Sequence, residues 1–287
     1  MRAPIALSQI GPRAIFLYHA GLCPVVHALE PEGGHVADKA RLTARLVIIG
    51  NEVLSGKVLD ANTPFLLRRL RQVGVDCQGV VVVADVPAEI SAAVRHAAEA
   101  ADLVFTTGGV GPTHDDVTMA SIADAFDVPL VEHPKLLEFL EERWRGPRAP
   151  ARLRMARVPQ GADLLFEGEF PQVRMRNVYI FPGVPKLLRR RFAAIEHLFA
   201  GQAPCCAAVF TDETESELAP LLEQVVAQLQ DVEIGSYPQW GEASYRVLLT
   251  IEAASQAVVD EGVDRLVELL DPDRLQGVER SYHPEGN

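Results

Sequence analysis

The spacing of apolar residues along this chain changes period several times, and each change marks an element. Residues 46–49 are an unbroken apolar strand, after which Gly50 and Asn51 open a turn-rich stretch. A helical period follows. Asn62 is placed to cap it, Pro64 suits its first turn, Phe65, Leu66, Leu67 and Leu70 make one apolar face, and Gly74 ends it. Residues 80–83 are all valine and read as a buried strand. Pro87 then starts a helix with Ile90, Val94 and Ala97 at helical spacing, and residues 103–105 form the next strand. Alternating strands and helices predict an α/β fold with a mainly parallel sheet covered on both faces.

Further along, residues 119–126 and 136–144 read as helices, and residues 145–154, with two prolines and a glycine, as an exposed loop. The apolar run 178–181 leads into Pro182-Gly183-Val184-Pro185, which reads as a rigid turn or as a fourth ligand loop, the turn being favoured on spacing alone. After Gly201 the texture changes. A strand (207–210), a helix (215–229), a turn (235–238), a strand (245–251) and a helix (258–270) predict a smaller α+β domain. The expected division is an extension over residues 1–42, the α/β domain over 43–201 and the small domain over 202–287.

Composition narrows the class. Charged residues make up 23% and hydrophobic ones 48% of 287 residues, the balance of a soluble globular protein. No apolar run approaches the roughly 20 residues of a spanning helix, so no membrane partner is expected. Thirty-nine acidic against 27 basic side chains give a formal net charge of −12, which repels polyanions, so nucleic acid is not an expected partner. The four cysteines, Cys23, Cys77, Cys205 and Cys206, have no metal-ligand spacing and read as reduced thiols of a cytoplasmic protein. Residues 1–42 have neither the unbroken apolar region nor the cleavage site of a secretory signal.

The chemistry concentrates where strands end. In open parallel sheets ligands bind beyond the carboxyl ends of the strands, and here those ends carry Gly50-Asn51-Glu52, Asp85, and the stretch from Thr106 to Asp116. Gly108, Gly109 and Gly111, between a strand and a helix, let consecutive amides turn towards an anion, and the helix behind adds the positive end of its dipole. Asp115 and Asp116 repel a bare phosphate unless a cation lies between. That combination suggests a metal-assisted phosphate site, although either aspartate alone reads equally well as a helix cap. Asp85, Asp116 and Glu52 are the candidate metal ligands, with Asp85, Asp116 and Asp115 as the catalytic carboxylates. Gly50, Asn51, Ser55, Gly56, Asn62, Thr107, Gly108, Gly109, Gly111, Pro112, Thr113 and Gly183 are the candidate substrate-binding positions. His114, alone in a polar loop, reads as solvent-facing, and Arg189-Arg190-Arg191 as a solvated helix face.

Five segments in order carry a family resemblance: IGNEVLSGKVLDAN from Ile49, Ala84-Asp85, TTGGVGPTHDDVT from Thr106, MARVPQGADLL from Met155, and FPGVP from Phe181. They resemble the MoaB/Mog-type molybdopterin-binding domain in the version found in CinA-like competence/damage-inducible proteins. The resemblance implies a three-layer fold and hydrolysis of nucleotide pyrophosphates such as ADP-ribose or FAD, with Mg²⁺, Mn²⁺ or Co²⁺ as cofactor, in a homo-oligomer. It also implies the alternative of pterin binding and adenylylation in molybdenum cofactor synthesis, where the two family aspartates fall on Asp85 and Asp116. A non-catalytic nucleotide-binding module is the third reading. The final domain is similar to the KH-like domain of CinA proteins, but it has no GxxG loop for clamping a nucleic-acid backbone. The nicotinamide-nucleotide deamidase segment of full-length CinA proteins has no counterpart before Asn287, so that activity is not carried over. Asn51 stands where many relatives have Asp, which predicts weaker catalysis if that carboxylate holds a metal.

Overall fold

The computed structural model describes residues 41–143, 153–166, 170–229, 231–240 and 244–283. The expected extension 1–42 therefore lies almost wholly outside the described residues, as do Trp144 and most of the loop after it. The first part of the chain builds a six-stranded sheet from β1 (Thr43–Ile49), β2 (Asp76–Val83), β3 (Leu103–Thr107), β6 (Asp163–Leu165), β7 (Gln172–Met175) and β8 (Val178–Phe181), in the order β2-β1-β3-β8-β7-β6. The first four in that order are parallel, and β7 and β6 close the far edge as antiparallel strands. A separate two-stranded ribbon pairs β4 (Leu130–Glu132) with β5 (Arg157–Pro159).

Alternation along β1 divides the core into two layers, because successive side chains of a strand point to opposite faces. Leu46 and Ile48 meet Leu66 and Leu70 of α2 (Asn62–Gln72) and Leu188, Phe192 and Ile195 of α6 (Pro185–Ile195). Val47 and Ile49 face Ile90 and Val94 of α3 (Pro87–Ala100), Ile122 of α4 (Thr118–Ala125) and Leu136 and Leu140 of α5 (Pro134–Arg143). Phe105 anchors the first layer, with the Phe199 ring edge-on at 5.3 Å between centroids. Together these make a three-layer α/β domain.

The smaller domain is a four-stranded antiparallel sheet of β9 (Cys205–Thr211), β10 (Glu233–Pro238), β11 (Val247–Ala253) and β12 (Leu275–Glu279), in the order β10-β11-β9-β12. Helices α7 (Glu215–Gln228) and α8 (Gln256–Leu269) contribute Leu218, Val225, Val259, Val263 and Leu266 to its core. A capping box starts α7, in which Thr214 and Glu217 satisfy each other's backbone. An Arg71–Glu252 ion pair ties the two sheets' domains together.

Four sequence expectations need correction. Three of the four valines at residues 80–83 are not buried: among the described residues β2 is the edge of the sheet, flanked by β1 alone, and Val80, Val81 and Val82 are exposed, while Val83 packs into the core. Residues 235–238 are strand rather than turn. All six residues of β10 pair with β11, Pro238 closes an edge strand where a missing N–H costs little, and Gly235 leaves room for the Tyr237 ring. Asn62 does not cap α2; Asp60 accepts the Asn62 and Thr63 amides (2.9 and 3.1 Å), which frees the Asn62 side chain for other work. Arg191 is not on a solvated face, because its guanidinium lies 4.2 Å from the Phe170 ring centroid and burial lowers its pKa to about 10.

Candidate functional site

Four strand ends meet at one edge of the large sheet. The register pairs Ile49 with Val83 and Ile48 with Thr107, and Thr107 in turn with Phe181, so the loops after β1, β2, β3 and β8 leave side by side. The first and second loops are joined by the Gly50 amide on the Val83 carbonyl (3.1 Å) and the Asn51 amide on Asp85 Oδ2 (2.8 Å). The third and fourth are joined by the Gly108 amide on the Phe181 carbonyl (3.2 Å) and the Thr107 hydroxyl on the Pro182 carbonyl (3.1 Å). The Pro/Gly stretch after β8 is thus part of this edge and more than a rigid turn.

The third loop needs its glycines. Gly108 has φ 108°, and a Cβ there would lie 2.0 Å from the Ile49 carbonyl oxygen. At Gly109, φ is 61° and a Cβ would lie 2.4 Å from Thr118 Oγ1. Thr118, which sequence reasoning missed, holds both: its hydroxyl donates to the Gly108 carbonyl (2.9 Å) and its amide to the Gly109 carbonyl (3.1 Å). Only its position at a helix start hinted at that role. The amides of Gly108 and Gly111 are spent inside the protein, so an anion cradle in this loop would rest on the amides of Gly109 and Val110, which have no acceptor among the described residues.

Asp116 is committed to its own loop. One oxygen accepts the Gly111 amide (2.6 Å); the other accepts the Thr113 amide (2.7 Å) and the Thr113 hydroxyl. The Thr113 hydroxyl is also the main influence lowering the pKa of exposed Asp115, followed by that residue's own amide. His114 stands in solvent, its Nδ1 3.8 Å from an Asp115 oxygen. Arg154, expected only as part of an exposed loop, donates to the Pro112 carbonyl (2.8 Å) and brings a cation to the rim.

Asn62 locks the floor. Its amide nitrogen donates to Thr107 Oγ1 (3.1 Å) and to the Gly183 carbonyl (2.8 Å), while its buried Oδ1 has no donor among the described residues. Thr107 is itself buried and fully engaged in this bridge, so it serves as framework. Gly183 packs close, since a Cβ on it would lie 3.4 Å from Gly108 Cα. Ser55 turns its hydroxyl back to the Glu52 carbonyl (3.4 Å), and Gly56, at φ 69°, faces open space, so neither joins the glycine loop. Helices α2 and α6 both begin at this edge, which directs the positive ends of two helix dipoles towards it.

The divalent ion that the resemblance implies finds no ready cage. Both Asp116 oxygens and one Asp85 oxygen are taken by amides, the Glu52 carboxylate lies back along Gly50, and no three His, Cys, Asp or Glu side chains converge among the described residues. A resident ion does not fit this donor set. An ion arriving on a substrate's phosphates would meet Asp85, whose Oδ1 accepts no bond among the described residues.

The chain has relatives among known proteins. The family described as "Probable molybdopterin binding domain" matches residues 45–199, and the chain belongs to it. Residues 204–279 match the "FAD synthase, middle domain" family. Among curated proteins the chain is similar to a "Probable FAD synthase" of Caenorhabditis elegans, 34% identical over 80% of this chain and 50% of the relative. It is also similar to a "CinA-like protein" of Gloeobacter violaceus, 32% identical over 76% of this chain and 54% of the relative. In both cases the chain spans about half of the relative's length. A solved structure of the protein CinA, of unknown function, from Thermoplasma acidophilum covers 55% of this chain and 98% of its own, at 30% identity and a TM-score of 0.52. No helix among the described residues is long and apolar enough to cross a membrane.

Proposed function

We propose that this edge binds a nucleotide through its phosphates and ribose and cleaves the pyrophosphate bond of ADP-ribose- or FAD-like dinucleotides. The observation that carries the reading is the pairing of an anion cradle with an unanswered acceptor. The free amides of Gly109 and Val110, two helix N-termini and Arg154 suit phosphate, and the buried, undonated Asn62 Oδ1 suits a ribose hydroxyl. Asp85, anchored through one oxygen by the Asn51 amide, keeps the other to accept the proton of an attacking water. Attack on phosphorus then breaks the bridging P–O bond and releases two phosphate monoesters, AMP among them. The names of the FAD synthase and CinA-like relatives support a nucleotide ligand. We place the activity in the cytoplasm, where Cys77, Cys205 and Cys206 stay reduced.

The second reading, pterin binding and adenylylation, is supported by the family match and uses the same cleft. The test is incubation with ADP-ribose, FAD and a molybdopterin-type substrate plus ATP, with EDTA or with Mg²⁺, Mn²⁺ or Co²⁺. Release of AMP from a dinucleotide supports hydrolysis, and transfer of AMP to the pterin supports the alternative. Binding without product with every substrate and metal defeats both.

A further inference from the structure

The small domain holds a cavity that the cleft does not use. It opens at the end of the small sheet where Thr211 pairs with Val247, opposite the end that carries the Arg71–Glu252 pair, and has a volume of about 840 Å³. Small-molecule sites ordinarily have roughly 300–1,000 Å³. Two aromatic residues stand in its wall. Tyr245 is seated on Phe210, with ring centroids 4.8 Å apart. Trp240 is 90% exposed, although folding ordinarily buries most of a tryptophan, and the hairpin that carries it is fixed by the Gln239 amide on the Arg246 carbonyl (2.8 Å). Four charged residues complete the lining, and their bonds sort them. Arg274 is spent on the two Glu217 oxygens (3.0 Å each) and the Asp212 carbonyl (2.8 Å). The Arg246 guanidinium has no partner among the described residues. Asp212 accepts from Gln276 Nε2 (2.7 Å) and Glu215 from the Ser236 hydroxyl (3.3 Å), each through one oxygen, and the second oxygen of each has no donor among the described residues.

We propose that this cavity is a second small-molecule site, which binds a nucleoside monophosphate. The open face of Trp240 stacks the base, which any planar ring system rewards. The free oxygens of Asp212 and Glu215 accept from the two hydroxyls of a ribose, as carboxylates do in other nucleotide sites. Arg246 takes the phosphate through its fork of N–H donors. The charge balance selects this ligand from its relatives. One free guanidinium beside two carboxylates answers a single phosphate monoester, repels a polyphosphate and gives a nucleic-acid strand no row of cations to follow. A purely apolar ligand would strand the same three charged groups without partners. The cavity shares no lining residue with the cleft, so the proposal does not depend on the chemistry assigned there.

Tryptophan fluorescence tests it and reports on this site alone. The chain has two tryptophans, so Trp144→Phe leaves Trp240 as the only one, and a base stacked on its ring quenches it whereas a nucleotide in the cleft does not. Titration of full-length Trp144→Phe with AMP is expected to show saturable quenching with a Kd below about 1 mM. Adenosine, which lacks the phosphate, and 2′-deoxy-AMP, which lacks the diol, are each expected to bind about tenfold more weakly. Arg246→Gln, at an exposed side chain, should lose about tenfold for AMP and nothing for adenosine. Should Trp144→Phe fail to fold, the quenching in the wild type that Trp240→Phe removes gives the same reading. No quenching by AMP at millimolar concentration, equal affinity for AMP and adenosine, quenching by methyl glucoside in place of AMP, or wild-type AMP affinity in Arg246→Gln overturns the proposal.

Discussion

Replacing Asp116 with asparagine separates two roles for this carboxylate. As a loop clamp, it holds the Gly111 amide at 2.6 Å, the Thr113 amide at 2.7 Å and the Thr113 hydroxyl, three donors on two charged oxygens. Asparagine keeps one acceptor oxygen and turns an NH₂ towards the remaining donor or donors. One or two charge-assisted bonds are lost, each worth about 1.5–3 kcal/mol. The Thr113 side of the clamp is exposed, which reduces the net cost to about 1.5–3 kcal/mol in all. That cost falls on the ordered loop that presents the Gly109 and Val110 amides, so nucleotide affinity is expected to fall about 10–100-fold. Calorimetric titration of wild type and Asp116→Asn with ADP-ribose in EDTA measures it directly. As a metal ligand, by contrast, Asp116 contributes nothing to binding in EDTA and acts only on metal-dependent turnover. Wild-type affinity of Asp116→Asn in EDTA, together with collapsed activity when metal is added, would falsify the clamp.

Gly108→Ala forces a Cβ to 2.0 Å from the Ile49 carbonyl at φ 108°, which is expected to cost about 3 kcal/mol or more. Calorimetry should show Tm lower by about 6–12 °C, and an unchanged Tm contradicts the tight β1–β3 junction. Arg274, followed by the Thr214 amide and hydroxyl, lowers the Glu217 pKa from 4.5 to about 2. A depressed folded-state pKa contributes stability above the unfolded value that is lost as pH falls through the folded one. Acid titration of the wild type between roughly pH 4.5 and 2 should therefore show a loss that Glu217→Gln lacks, and identical acid profiles refute the coupling. Burial, with the nearby Glu252 carboxylate, raises the Cys206 thiol to about 11. Mass-spectrometric mapping after iodoacetamide at neutral pH should find Cys206 unmodified in the folded protein and modified in urea, and labelling in the folded state contradicts that environment.

The sequence by itself determined the alternation of elements and the loops that matter. The apolar run 46–49, the helical spacing of Ile90, Val94 and Ala97 and the glycines after Phe105 are local patterns, and a strand or helix answers to local period and to backbone freedom. The motif residues were legible for the same reason, because a glycine at a strand-to-helix turn announces its φ before any neighbour is known. Partners across the fold were not legible. That Asn62 bridges β3 and the loop after β8 depends on groups meeting across up to 121 positions of sequence, and that Thr118 holds Gly108 and Asp116 closes its own loop depends on the path the loop takes, which no pattern of neighbours states. The four valines of β2 read as buried because a parallel strand is usually covered on both sides, and only the sheet order β2-β1-β3-β8-β7-β6, with β2 at its edge, left Val80, Val81 and Val82 exposed and Val83 alone in the core. A residue's period is written in its neighbours along the chain, whereas its burial and hydrogen-bond partners are set by which strands the whole chain brings together.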